Sequence, residues 1–340
     1  MKKNFLLGFI AFAAMAVTSC TNDEMNEFIP QDEAIEFSTY VGRDAQSRAE
    51  ETKLVTLQED GFGVFAYLNV TSANYQNANF MKNIKVDDTD NNSVWDYTPA
   101  KYWPKDENNK LDFLAYGPFG SANITELTQE NKHHQFKFTV NNAVVSQTDL
   151  VVATPLKNQT KSSNSGNVQF TFDHMLSRIT FSAVTISLDN VASVIINSVK
   201  FKGTFAKTAT VDIAAKTLTP TTEEEVTYTF AKGTDFTETE ATLSLTASEL
   251  NNEKTNYLMV IPNATNQTVT ITVNYTITYL DGTAPVSNEI SKDITSQTFA
   301  AGKAYKYALS VAADKIMFTD PIVTAWGNET NVPNEGTTLF

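Results

Sequence analysis

From Val269 onward, apolar side chains fall on every second position: Val269, Ile271, Val273, Tyr275, Ile277 and Tyr279, with Thr or Asn between most of them. A period of two puts one face of an extended strand in a core and the other in water. Shorter runs of the same pattern predict strands over 35–41, 63–70, 111–116, 136–140, 149–154, 168–172 and 179–188. They continue over 194–201, 226–230, 242–246, 257–261 and 305–311. Polar stretches such as 87–92, 105–110 and 161–167 punctuate them as turns. Sustained helical periodicity, a Gly-rich phosphate loop and internal repeats are not visible. Short strands at this spacing predict an all-β chain of sandwiches or barrels. A break near 188–193 divides them into two sets.

The start of the chain has a different pattern. Lys2 and Lys3 precede an apolar run over 5–17, too short to span a bilayer and the right length for a secretory signal. Small residues then lead into Val17-Thr18-Ser19-Cys20, which resembles the bacterial lipobox, where the signal is cut before a lipidated cysteine. Cys20 is the one cysteine in the chain, so an intrachain disulfide is impossible and cysteine-based metal binding or catalysis is not expected. The expected organisation is a signal peptide over 1–19, a linker over 20–34, and β-sandwiches over 35–188 and 189–340. The protein is expected to be bacterial, exported and tethered, at least as a precursor, by acyl chains.

The formal charge of −14 includes the two signal lysines, so the chain without them carries −14 − 2 = −16. Such a surface repels nucleic acid, and no nucleic-acid partner is expected. The three histidines are His133, His134 and His174. On a strand, His133 and His134 would point to opposite faces, whereas a metal needs converging ligands. No Gly-x-Ser-x-Gly elbow is present, and the run Glu223-Glu224-Glu225 reads as a solvated loop. No catalytic residue, metal or cofactor is expected, and the chain does not read as an enzyme. Trp95, Tyr97, Tyr102 and Trp103 could stack on sugar rings, although such aromatics serve more often as framework.

Several short motifs, taken in order, carry a family resemblance. They are Ile35-Glu36-Phe37, Ser47-Arg48-Ala49, Gly63-Val64-Phe65-Ala66-Tyr67 and Lys101-Tyr102-Trp103-Pro104, then the run from Leu111 to Pro118 and Asp149-Leu150-Val151-Val152-Ala153. Phe172-Asp173-His174-Met175-Leu176-Ser177-Arg178-Ile179, the run from Gly302 to Val311, Ile316-Met317-Phe318 and Val323-Thr324-Ala325-Trp326 complete the series. With the lipobox, this order resembles the fimbrillin-like proteins of Bacteroides and its relatives, a family that includes the major and minor fimbrial subunits of Porphyromonas.

The resemblance implies two transthyretin-like β-sandwiches in tandem, with His174 in a structural role at the end of a core strand. It implies an outer-membrane lipoprotein precursor that an arginine-specific protease cuts after its first strand. The groove left behind is then filled by a strand from the next subunit, and a head-to-tail filament grows. Ile35, Phe37 and Val41 would form the inner face of the first strand. Arg48-Ala49 would be the cleaved bond, with Arg43 second; the remaining arginine is Arg178. Ile316, Phe318, Ile322 and Val323, in the Pro-interrupted segment 316–340, fit either a donor strand or the domain's own last strand. The implied partners are other fimbrial subunits, the outer membrane through the lipid anchor, and the protease. An alternative is an anchor or tip component, or a permanently anchored lipoprotein that binds a glycan or surface protein. In that case the Trp95 to Trp103 region would be exposed and the first strand retained. A β-sandwich hydrolase would need a converging carboxylate pair that the sequence does not show.

Overall fold

Alternating segments with β-branched and aromatic residues become strands throughout the computed structural model, which describes residues 33–41, 54–70, 75–185, 190–231, 248–249, 258–311, 316–318 and 320–326. The first half contains β1 (Glu36–Val41), a short helix α1 (Leu54–Asp60), β2 (Phe62–Leu68), β3 (Met81–Asp87), β4 (Asp96–Tyr97), β5 (Leu111–Gly117), β6 (Ile124–Thr125), β7 (Gln135–Thr139), β8 (Val151–Ala153), β9 (Leu156–Gln159) and β10 (Asn167–His174). Then follow β11 (Ser177–Thr185), β12 (Val191–Ala206), β13 (Thr208–Asp212), β14 (Thr217–Pro220), β15 (Glu223–Ala231), β16 (Ser248–Glu249), β17 (Leu258–Val260), β18 (Asn263–Tyr279), β19 (Val286–Phe299), β20 (Lys303–Val311), β21 (Ile316–Phe318) and β22 (Ile322–Ala325). The predicted strand over 242–246 lies outside the described residues.

The largest sheet runs β1-β10-β8-β5-β2-β3-β4, with β9 beside β5. Both faces of its centre are buried, which explains why β2 and β5 read as nearly continuous apolar runs. Phe65, Tyr67, Leu114 and Tyr116 face a smaller sheet, β14-β13-β7-β6, whose Phe136, Phe138, Ala209 and Val211 complete that core. On the opposite face, Phe62, Val64, Phe113, Phe170 and Phe172 pack with Leu57 of α1, Trp95 and Trp103. A second sandwich pairs the sheet β16-β11-β20-β21, carrying β17 and β22, with the sheet β15-β12-β18-β19. Its core joins Ile179, Phe181, Tyr307 and Leu309 to Phe201, Phe205, Ile271 and Val273. The chain is therefore all-β and built as two sandwiches.

The sheets do not follow chain order around the predicted break. β11 begins at Ser177 and pairs with β16, β17 and β20, all from the second half. Conversely β13, which follows β12 after a single residue, pairs with β7 over five residues in the first sandwich. Main chain thus passes between the sandwiches at 174–177, at 206–208, and again between β14 and β15.

Candidate assembly surface

β1 lies at the end of its sheet, parallel to β10 from Glu36↔Asn167 to Val41↔Phe172. Its alternation buries Ile35 and Phe37 and exposes Glu36 and Tyr40; for Val41 the backbone is described but not the side chain. The Phe37 ring stacks on Phe170 at 5.8 Å and meets Tyr97 at 5.3 Å, Phe113 at 6.1 Å and Phe62 at 6.5 Å edge-on. The start of the strand is held by hydrogen bonds. Ile35 donates its N–H to the Lys101 carbonyl (2.8 Å), Tyr97 donates its hydroxyl to the Ile35 carbonyl (2.8 Å), and Glu36 donates to the Gly166 carbonyl (3.2 Å). A single bridge, Ala34↔Tyr102, touches the other edge, and Glu33 pairs with Lys161. The strand therefore rests in a bed made of Val168, Phe170, Phe172, Phe113 and Phe62.

At the other end of the chain, β21 and β22 pair in succession with one strand, β20, forming an antiparallel edge interrupted near Pro321. Ile322 and Val323 are 41% and 51% exposed. The backbone of Ile316 and Phe318 lies in β21, while their side chains fall outside the described residues. As far as Trp326, then, the described part of this segment pairs within its own sandwich.

Trp326 is what holds that strand. Its ring is buried and stacks on His174 at 4.3 Å with the planes 2° apart, and the Arg178 guanidinium carbon lies 5.5 Å from the ring centroid. His174 Nδ1 is 2.7 Å from Asp149 Oδ2; because the carboxylate accepts, the imidazole proton sits on Nδ1. The sequence expectation placed His174 at the end of a core strand, which is its position at the end of β10. What the sequence missed is its partner, Trp326, on the final strand.

Gly302 closes the arrangement: its N–H donates to the Leu176 carbonyl and its carbonyl accepts from Trp326 N–H, each at 2.9 Å. Its φ of +65 is strained for other residues, and an added Cβ would lie 3.3 Å from the His174 carbonyl oxygen. Gly302→Val is expected to cost about 1–3 kcal/mol, with Gly302→Asn milder because Asn tolerates this region. Chemical denaturation of the two variants against the parent checks the order.

Other expectations are corrected. His133 and His134 lie in the turn before β7 rather than on a strand, because the ladder begins only at Gln135. His133 is buried and its Nδ1 accepts from Ala78 N–H at 2.9 Å; burial pushes its pKa below the ordinary value, with Lys82 and His134 adding to the shift. Glu223, Glu224 and Glu225 open β15 instead of forming a loop, facing water, with Lys202–Glu225 at 3.0 Å and Lys207–Glu224 at 3.3 Å. Trp95 and Trp103 are buried framework, and Trp103 Nε1–H donates to the Gly166 carbonyl at 3.1 Å. Tyr102 alone of that group is exposed, and the burial of Trp95 and Trp103 agrees with the framework role favoured from the sequence over sugar stacking. Among the described residues, no group of three or more His, Cys, Asp and Glu converges as metal ligands, and no helix is long and apolar enough to cross a membrane. Cys20, Arg43, Arg48 and Ala49 lie outside the described residues.

Comparison with known proteins gives this architecture a family. Fimbrium subunit Fim1C of Phocaeicola vulgatus is 32% identical over 190 residues, an alignment taking in 50% of this chain and 48% of that protein. The chain thus spans about half the length of the curated relative it matches. A crystal structure of a fimbrial protein from Bacteroides vulgatus has the same fold, with a TM-score of 0.65 at 22% identity, covering 86% of this chain and 99% of that one. A candidate cell adhesion protein from Bacteroides uniformis gives a TM-score of 0.54 at 18% identity, covering 87% and 100%. The family model described as fimbrillin-like begins after β1, at residue 47, and ends on the buried ring of Trp326 at residue 326. Across that span, which holds every strand but the first, this chain belongs to the fimbrillin-like family.

Proposed function

We propose that this chain is a structural subunit of a surface fimbrium that serves adhesion. It is made as a lipoprotein precursor lipidated at Cys20, carried to the outer membrane, cut between Arg48 and Ala49, and polymerised by exchange of strands. The observation that carries the reading is the seat of β1, an end strand whose buried Ile35 and Phe37 fill an aromatic bed. Residues 42–53 join β1 to α1 and contain Arg43 and Arg48. A cut there leaves β1 held by noncovalent contacts alone, and its release bares both a groove and an unpaired edge of β10. Family membership and the fimbrial name of a relative matched over about half its length support the same reading. In the sequence division, the sandwich over 35–188 carries the groove. The one over 189–340 offers Ile316, Phe318, Ile322 and Val323 along the β21–β22 edge as the surface for the neighbouring subunit.

The test is the intact mass and N-terminal sequence of protein sheared from the cell surface. A chain starting at Ala49 is expected; one starting at acylated Cys20 would instead make the protein an anchor or a ligand-binding lipoprotein. Arg48→Ala is expected to leave surface display intact and reduce polymer on denaturing gels. Unchanged ladders would move the cut to Arg43 or remove it.

A further inference from the structure

A groove of about 470 Å³ opens on the first sandwich where four pieces of chain meet: residues 75–76, residues 131–135 leading into β7, β9, and residues 212–215 at the end of β13. Its size falls within the range of small-molecule sites, about 300–1,000 Å³. The acidic group in its wall is already engaged. Asp212 Oδ1 accepts from the Ala214 and Ala215 N–H groups, both at 2.9 Å, and Oδ2 accepts from Gln135 Nε2 at 2.9 Å. His134 Nε2 stands 3.7 Å from the same oxygen, while His134 Nδ1 donates to the Tyr75 carbonyl. With its acceptor sites occupied from within the wall, Asp212 fixes the groove's shape, and its single charge is outnumbered there by Lys132 and Lys157.

The uncommitted groups point to one class of ligand. Lys132 and Lys157 are exposed lining residues, and neither has an ion-pair partner among the described residues. Lys85, Lys137, Lys161, Lys200, Lys202, Lys207 and Lys216 all pair with carboxylates. On a chain of net charge −14, two unpaired lysines sharing a groove are a local reversal of sign. The Gln76 amide makes no side-chain hydrogen bond among the described residues and adds a donor and an acceptor suited to hydroxyls. Tyr75, which borders the groove, is itself buried in the core, its hydroxyl donating to Asp112 Oδ2 at 2.7 Å. Behind it, 4.9 Å ring to ring, the wholly buried Tyr67 hydroxyl has no hydrogen-bond partner among the described residues.

We propose that this groove binds an acidic sugar, with Lys132 and Lys157 drawing its anionic group and the Gln76 amide meeting its hydroxyls. The volume exceeds what a bare inorganic anion needs, and the small Ala214 and Ala215 side chains let a sugar ring approach the wall. This inference does not rest on strand exchange.

The test is saturation-transfer NMR with isothermal titration on the soluble chain, using glucuronic acid, galactose 6-sulfate and neutral galactose as probes. Saturable binding of an anionic probe is expected, falling at least about tenfold in the Lys132→Ala/Lys157→Ala double variant and weakening with salt. Because both lysines are exposed, the variant should melt with the parent and polymerise normally, which separates failure here from failure of the assembly reading. Binding of glucuronic acid alone identifies a carboxylated ligand, and binding of the sulfated sugar alone a sulfated one. Binding of galactose as tight as that of either acidic probe, a double variant that binds like the parent, or no saturable binding of any probe would overturn the proposal.

Discussion

Removing residues 21–48 from the expressed chain is expected to replace a soluble monomer with oligomers or aggregate. Burial of Ile35 and Phe37 is worth about 1.5–3 kcal/mol each, and each ladder hydrogen bond to β10 adds about 0.5–1.5 kcal/mol net. Together these approach the total stability of an ordinary domain, about 5–15 kcal/mol. The truncated sandwich is therefore left with a bared bed of Val168, Phe170, Phe172, Phe113 and Phe62 that something must fill. Size-exclusion chromatography with light scattering reads the result, and a synthetic peptide of residues 33–41 added in trans is expected to restore monomer. A truncated chain that stays monomeric and melts like the parent would remove β1 from the assembly scheme.

Trp326→Ala is expected to be the most damaging single substitution near the C-terminus, costing about 3–5 kcal/mol and lowering Tm on the order of 10 °C. The change empties the space against His174 and removes the ring over which Arg178 lies. Ile322→Ala and Val323→Ala, in the same edge but exposed, are expected within about 0.5 kcal/mol of the parent. Calorimetric melting of the three variants checks the contrast. Equal losses would mean that the edge is held along its length rather than at Trp326.

The alternation of β18 and β10 was legible because each buries one face and wets the other: Val269, Ile271, Val273 and Ile277 all lie in the core, as do Val168, Phe170 and Phe172. β19 escaped the same reading. As an edge strand it buries little beyond Ile294 and Phe299, and its outer ladder is polar, with Thr270–Asp293 and Thr272–Ser291 hydrogen bonds at 2.7 Å. Alternation also does not name a strand's partner. Ala209, Val211 and Ile213 have period two, yet nothing local to them says that β13 leaves the sheet of β12 for that of β7. The contact between His174 and Trp326 was hidden for the same reason: both residues stood in the short family motifs, but they are 152 positions apart in the sequence. For the assembly surface, the apolar face of β1 could be read from Ile35 and Phe37, whereas the bed beneath it comes from three other strands, β2, β5 and β10.

The three passages of main chain between the sandwiches bear on how such a subunit responds to force. Two domains joined by one linker can swing or part under load before either unfolds. Here a pull that separates the sandwiches stretches three lengths of backbone at once, and slack comes by stripping paired strands from their sheets, β10 or β11 at one passage and β13 from its five residue pairs along β7 at another. The two sandwiches form a stiff link, so under the proposed assembly a tether of many copies is expected to yield at the joints between copies before it yields within one.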